Sequence, residues 1–383
     1  MSILDKATLH LPMGAAYKSG SVWMSKPLTD DGYFAYTRDS AATRITDCGE
    51  VSNVSGNVPR PSYTNGIPGL LIEDTKTNLI TNSVNLNGSF TNAGSTSSQN
   101  SAPSPEGKIN AVTIGCSDSN AHYYTIVSTA NAGVQHVFSC WYKGTAGETV
   151  RMRSLNSGTG AVDGSKLITF TGEWQREYIS FVPGTNYSYA YIVDRRTGVG
   201  TATSFQVYGA QIEFGSAPSS FIKTTGSTAT RARDSFRITG NRALPYIGGS
   251  QGTIYFYVYY KNNGGSYQQF MYYTDASASQ SYMFVNPSRY IQTNLNLGTM
   301  QSNVQLVDGS FNKIAVKYMP GKQQMYINGQ SVASATYGSI LNHANIDLGS
   351  YAGSSEFGGM EFIEYAHFDQ VLSNEEMISL TTL

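Results

Sequence analysis

Residues 205–233, FQVYGAQIEFGSAPSSFIKTTGSTATRAR, constrain the fold of this chain more than any other stretch. Phe205 and Val207, then Ile212 and Phe214, alternate with neighbours of other character, as a strand with one buried face requires. The change of parity between the two pairs predicts a bulge near Gly209. Alternation stops at Gly215, Ser216, Ala217 and Pro218. Phe221 and Ile222 follow as a last apolar anchor, and 224–230 form a polar linker of small residues that closes on Arg231 and Arg233. The sequence on both sides is β-rich, so the stretch divides one sandwich from another.

Composition narrows the class further. A length of 383 residues predicts two to three domains, each able to bury a sizeable core. Charged residues are 13% of the chain, about half the usual share. With 39 glycines and 27 tyrosines, this points to many-turned β-structure. Twenty-five basic and twenty-six acidic residues leave a net charge of -1, without the electrostatic footprint of a nucleic-acid or anionic-membrane binder. Cys48, Cys116 and Cys140 are odd in number, widely spaced and without a Cys-x-x-Cys pair, so three free thiols are expected. The opening MSILDKATLH has no apolar signal core, and no run of about 18 apolar residues could span a bilayer. Synthesis in the cytosol without membrane insertion is the expectation.

Three segments follow. Residues 1–80 are rich in turns, with short strands expected at 7–11 and 33–36, and form an extended N-terminal arm packed on one or both sandwiches. Residues 81–230 carry seven or eight strand-length runs, which close naturally as the two antiparallel sheets of a jelly roll. Residues 231–383 form a second sandwich. In it Ile254, Phe256, Val258 and Tyr260 alternate with Tyr255, Tyr257 and Tyr259, and Asn328-Gly329 marks a two-residue hairpin. Ser373 and Glu376 form a capping box that starts a short terminal helix. The predicted fold class is all-β: a jelly roll, then a concanavalin-like sandwich, preceded by the arm.

Two groups of residues carry a resemblance. Val207-Tyr208-Gly209-Ala210-Gln211-Ile212-Glu213 with its Thr/Arg-rich exit is similar to the closing segment of carbohydrate-binding-module-like jelly rolls in structural proteins of tailed bacteriophages. The runs around Trp141 and Trp174 look like landmarks of the same family, with Trp174 expected in the core. Upstream, Tyr36-Thr37-Arg38-Asp39-Ser40 and Asn57-Val58-Pro59-Arg60 resemble the leader found ahead of those domains. The order from the Asn328-Gly329 hairpin through Leu348-Gly349-Ser350 and Phe357-Gly358-Gly359 to Leu372-Ser373-Asn374-Glu375-Glu376 resembles concanavalin A-like, laminin G-like domains. The resemblance implies a virion protein of tail-fibre or receptor-binding type, a homotrimer, other virion proteins and a host-surface glycan as partners, and an N-terminal segment serving as virion anchor. The alternative is a capsid decoration or head-fibre protein whose sandwiches dock on other virion subunits.

Catalysis needs convergent groups, and few are legible. Glu361 and Glu364 are the nearest carboxylate pair for glycosidase chemistry, but an odd spacing on a strand sends them to opposite faces unless a bulge intervenes. His10, His122, His136, His343 and His367 show no metal-ligand or triad spacing. No catalytic residue, metal ligand or cofactor is assigned. A structural calcium could draw on turn carboxylates at Asp163, Asp194, Asp275, Asp308 or Asp347. Non-catalytic sugar binding fits the composition better, since it needs flat aromatic faces for pyranose C–H groups together with amides and hydroxyls. Candidate binding residues are the stripe Tyr255, Tyr257 and Tyr259, the stripe Tyr187, Tyr189 and Tyr191, and Trp141 on the strand face opposite Phe138, Cys140 and Tyr142.

Overall fold

The computed structural model describes residues 2–13, 17–18, 21–22, 34–127, 131–186, 188–196, 198–239, 249–262, 267–274, 280–295, 298–336, 345–349 and 359–383. Tyr187, Asp275 and His343, and Ser350, Phe357 and Gly358 of the laminin G-like segments, lie outside the described residues. The chain is all-β apart from short helices, and it divides into two compact units.

One unit comprises 49–52 and 75–231. Two five-stranded antiparallel sheets face each other as a jelly roll. In the first, His122–Val127, Ser188–Asp194 and Thr149–Asn156 lie between the edge strands Thr91–Ala93 and Val162–Thr169. In the second, Ile109–Gly115, Ser204–Phe214 and His136–Lys143 lie between Thr96–Pro103 and Gln175–Phe181. Alternate residues of both sheets, among them Tyr123, Phe138, Cys140, Met152, Ile192 and Val207, fill the shared core. The expected bulge is present. Ser139 pairs with Gln211 and Trp141 with Tyr208, and Gly209 takes up the extra residue at φ 65°.

A Cβ on Gly209 would lie 2.9 Å from the Trp141 ring, so glycine is required by packing as well as by φ. Gly209→Ala is expected to cost about 2 kcal/mol or more. Gly147→Ala, also at positive φ but with open space around its Cβ, pays the backbone strain alone. Denaturant midpoints of the two variants check this, and equal losses would show that the ring clash relaxes away.

The other unit comprises 1–48, 53–74 and 232–383. It too is a pair of antiparallel sheets. Gly252–Tyr260 lies between Ser310–Met319 and Met360–Phe368 near the middle of one sheet, with Ile254, Phe256, Val258 and Tyr260 turned into the core. Ser235–Thr239, Asn345–Leu348 and Gln268–Thr274 are neighbours in the other. The Asn-Gly hairpin forms as expected, with Asn328 and Gly329 both at positive φ between Lys322–Ile327 and Gln330–Ala335. Ser373 and Glu376 close the capping box of the helix Asn374–Thr381.

Most of the described residues read as an N-terminal arm, those within 1–48 and 53–74, belong to this unit and supply strands to it, while 75–80 belong to the jelly roll. Leu9–Pro12 and Ile67–Ile72 both pair with Met360–Phe368, and Phe34–Thr37 pairs with Ser235–Thr239. The physical reason lies in Leu9, Leu11, Leu70 and Ile72, which are wholly buried and supply apolar surface that residues 232–383 would otherwise leave open.

The leader motif has a defined task. Arg38 and Arg60 reach the same fully buried carboxylate, Asp234, with Arg38 Nη1 3.1 Å from Oδ1 and Arg60 Nη2 hydrogen-bonded to Oδ2. Arg60 also donates to Glu73 at 2.9 Å, the Glu73 amide donates to Asp234 at 2.8 Å, and Tyr36 donates its hydroxyl to Asp234. Four segments distant in sequence are thereby tied at one carboxyl group.

A second buried carboxylate titrates in a useful range. Asp347 sits across from Arg237 in paired strands with 3.1 Å between Oδ1 and Nε, but the pair lacks hydrogen-bond alignment. Burial pushes its carboxyl up to about 6, against the opposing pull of Arg237. The folded protein therefore holds this proton more tightly than the unfolded chain, and stability contributed at low pH is lost as pH rises from about 4 to 6. Asp347→Asn should flatten stability across that window, as read from unfolding midpoints. An unchanged pH profile would assign the slope elsewhere.

Candidate functional site

The outer face of the first jelly-roll sheet gathers an aromatic cluster from two adjacent strands. Tyr124 pairs with Tyr191 and Ile126 with Tyr189, placing these side chains in cross-strand rows. Ring centroids are 5.3 Å apart for Tyr124 and Tyr191, 5.6 Å for Tyr124 and Tyr189, and 5.4 Å for His122 and Tyr124. A register shift makes this possible. Tyr123 pairs with Val193 and Tyr124 with Tyr191, so Ile192 is the extra residue: it enters the core with Tyr123 while Tyr124 and Tyr191 face outward.

Polar groups rim the rings. Arg196 stacks on Tyr191, its guanidinium carbon 4.7 Å from the centroid. The same guanidinium is held fork-on-fork by Asp194, Nε to Oδ1 and Nη2 to Oδ2 both at 2.9 Å, and Arg153 adds a 2.8 Å bond to Asp194 Oδ2. Burial alone would raise the Asp194 carboxyl, but the bonds and charges of Arg196 and Arg153 outweigh it and hold the carboxyl below its ordinary value. Burial raises the Tyr191 phenol, with Arg196 opposing, so it stays a hydroxyl donor. His122 Nδ1 lies 2.8 Å from the Asn120 carbonyl and must carry hydrogen there, which makes Nε2 an acceptor in the neutral ring.

The far wall is the turn after Thr149–Asn156. Asn156 Oδ1 accepts from the amides of Gly158 and Thr159 at 2.9 and 3.1 Å, fixing the turn. Between this wall and the rings lies an open groove of about 300 Å³ lined by Tyr124, Tyr189, Tyr191, Asn156, Ser157 and Arg196. A groove with clustered, mutually tilted rings on its floor and hydroxyl and guanidinium groups on its rim can hold a small polar molecule that has one apolar face.

The structure separates the sequence candidates. Tyr189 and Tyr191 line the groove, Tyr189 half-buried and Tyr191 only 4% exposed beneath Arg196. Tyr255 does not face solvent. It is 1% exposed and packs with Phe368, Leu372, Met377 and Leu380 beneath the C-terminal helix, because strand alternation does not reveal which outer face an element of the same chain will cover. Tyr257 and Tyr259 are half-buried, each ring beside Phe311 and each under a lysine, Lys313 and Lys261 respectively. Trp141 does lie on the face opposite Phe138, Cys140 and Tyr142, but it is only 5% exposed. Phe221 meets it edge-on at 5.3 Å and Arg176 covers its ring at 4.4 Å, so the anchor after the last strand seals it. Trp174, expected in the core, is half-buried.

The carboxylates also differ from expectation. A register shift beside Tyr257 and Val258 puts Glu364 opposite Tyr257 and Glu361 opposite Tyr259, so Glu361 and Glu364 share one face. Glu361 is 4% exposed with its carboxyl raised by burial, and Glu364 is held by His10 at 2.7 Å. Of the turn aspartates, Asp194 is taken by Arg153 and Arg196, Asp347 by Arg237, and Asp308 accepts the Asn262 amide at 2.8 Å. Among the described residues no three His, Cys, Asp or Glu side chains converge as metal ligands. Sequence reading missed Tyr124, His122, Asn156 and Arg196. The alternation of His122, Tyr124 and Ile126 was the available signal for the first two.

Residues 231–377 match the family model described as the Concanavalin A-like lectin/glucanases superfamily, and the chain thus carries a concanavalin A-like, laminin G-like domain. Among solved structures, the IT-sialidase CBM40 of Ruminococcus gnavus bound to alpha2,3 sialyllactose is similar at 17% identity and a TM-score of 0.31, covering 35% of this chain and 83% of that one. Domain 4 of a GH43 extracellular arabinanase from Geobacillus stearothermophilus, in complex with arabinotriose, is similar at 13% identity and a TM-score of 0.32, covering 43% and 82%. A heptameric SAP-like pentraxin from Limulus polyphemus is similar at 12% identity and a TM-score of 0.27, covering 34% and 69%. No curated protein matches the sequence.

Proposed function

We propose that this chain is a non-catalytic glycan-binding protein, and that it serves a tailed bacteriophage as a virion protein of tail-fibre or receptor-binding type that attaches to host-surface glycans. The observation that carries the reading is the groove floored by the half-buried rings of Tyr124 and Tyr189, backed by the buried Tyr191 and rimmed by Ser157 and Arg196. Tyrosine faces receive the C–H face of a pyranose, while the Ser157 hydroxyl, the phenol hydroxyls and the guanidinium meet its oxygens at little cost in side-chain entropy. Such a single site is weak. Symmetric copies, as in the homotrimer that the sequence resemblance implies, would raise avidity by roughly 10²- to 10⁴-fold without a new contact. The virion setting rests on the leader and closing motifs of the jelly roll.

The test is binding of the purified protein to host cells and to isolated cell-envelope glycans, presented singly and on a multivalent surface. Saturable binding that free glycan displaces is the expected result. No binding at any valency would overturn the reading and leave docking on other virion subunits, as in a capsid decoration or head-fibre protein. One observation favours that second reading: Ile126, Val162 and Leu167 are exposed on the same sheet face as the groove, an apolar fringe that a protein partner could cover.

A further inference from the structure

We infer that the concanavalin A-like unit carries a second binding site, for a neutral polysaccharide chain, on the outer face of the strands Gln280–Val285, Tyr290–Leu295 and Gly298–Gln305. Side chains of these strands alternate strictly. Met283, Val285, Ile291, Leu295 and Met300 enter the core, Thr293 is buried on the same side, and Tyr282, Phe284, Gln292, Asn294, Thr299 and Gln301 face outward. Register then builds two cross-strand rows. Phe284 pairs with Gln292 and Gln292 with Gln301, while Tyr282 pairs with Asn294 and Asn294 with Thr299. Each row runs from an aromatic ring to an amide and on to a second amide or a hydroxyl.

The rows are organised in advance of any ligand. Tyr282 and Phe284 stack at 5.4 Å with 26° between their planes, and the exposed ring of Tyr267 meets Phe284 perpendicularly at 5.0 Å. Gln292 donates to Gln301 Oε1, which also accepts from Asn286 at 3.3 Å, and Asn294 donates to the Tyr282 hydroxyl at 3.3 Å. These bonds fix which way each amide points, and the single bond between Gln292 and Gln301 leaves Gln292 with an acceptor and Gln301 with its N–H donors for a ligand. A depression of about 240 Å³ lies between Tyr282, Phe284, Gln292, Thr299 and Gln301.

Charge decides the class of ligand. Among the described outward residues of the three strands there is no acidic or basic side chain, and Arg289 in the adjoining turn is engaged by Gln305 at 3.2 Å. The face therefore offers an anionic sugar no cation in the rows. Against a protein partner, an apolar interface core would strand the amides without solvent or partner, a cost of roughly 1–3 kcal/mol per group. Sugar hydroxyls donate and accept together, so they satisfy amides and leave the rings to the pyranose faces. Linear extension of the two rows across three strands suits a chain of sugars better than a single residue.

This inference does not depend on the jelly-roll groove, and the experiment keeps the two apart. The full chain is run in native gels containing amylose, galactomannan or a mixed-linkage β-glucan, alongside Tyr282→Ala, Gln301→Ala and Tyr189→Ala variants whose folding is checked by circular dichroism. The expected result is retardation by at least one of these polymers, weakened at least tenfold by Tyr282→Ala and by Gln301→Ala and unchanged by Tyr189→Ala. Gln301 is exposed, so its truncation leaves the core intact should Tyr282→Ala fold poorly. Retardation that survives both substitutions, retardation abolished by Tyr189→Ala, or no retardation by any of the three polymers overturns the inference.

Discussion

Tyr189→Ala is expected to lower the affinity of the purified chain for a host envelope glycan by about 10- to 100-fold, the loss of roughly 1.4–2.8 kcal/mol that follows truncation of an aromatic anchor. The residue stands half-exposed between Tyr124 and Tyr191 on the groove floor, and its ring supports neither core, so the variant should fold and unfold as the parent does. Trp141→Ala makes the contrast. Its ring is enclosed by Phe221, Tyr208 and Arg176, and its loss should lower the unfolding midpoint first and binding only as a consequence. Tyr257→Ala should leave groove binding unchanged. Calorimetric titration with the displaced glycan reads all three, and a Tyr189→Ala variant that binds as tightly as the parent removes the groove from the account.

Asp234→Ala should be among the most destabilising single substitutions in the chain, at about 3–5 kcal/mol. Removing this one carboxylate leaves the guanidinium groups of Arg38 and Arg60 buried, with Glu73 as the remaining anion of the network. It also removes the acceptor of the Tyr36 hydroxyl and of the Glu73 amide. Asp234→Asn keeps the shape and loses the charge, so it should recover part of the packing and little of the electrostatic term. Equilibrium denaturation of both variants supplies the numbers. A loss under about 1 kcal/mol for the alanine variant would mean that solvent reaches the arginines when the acid is gone.

The fold was largely legible because local rules sufficed for it. The parity change that foretold Gly209, the Asn-Gly hairpin and the capping box at Ser373 each depend on residues within a few positions of one another. The groove was legible by half. Tyr189 and Tyr191 declare themselves by alternation along one strand, whereas Tyr124 and the Asn156 turn reach the same groove from other strands that only pairing register unites, and Arg196 folds back from just past the strand through its bonds to Asp194. Tyr255 shows the opposite failure: the alternation was read correctly, but the cover over its face comes from a helix more than a hundred residues later. The arginines of the leader motif were visible as motif and opaque as chemistry, since buried charge cannot be inferred until its partner carboxylates are placed nearby.

The interleaving of the two units bears on the order in which a ribosome can deliver them. Thr8 bonds to His367 across 359 positions, so at a translation rate of about 5–20 residues per second the opening strand waits roughly 20–70 s for its partner to emerge. Residues 75–231 contain both of their sheets and pair Lys76–Asn78 with Ala229–Arg231 across their own ends, so they can close while the rest of the polypeptide is unfinished. Through that interval the apolar residues Leu9, Leu11, Leu70 and Ile72 have no native cover, and the nascent chain should be a client of holdase chaperones until its last strand leaves the exit tunnel.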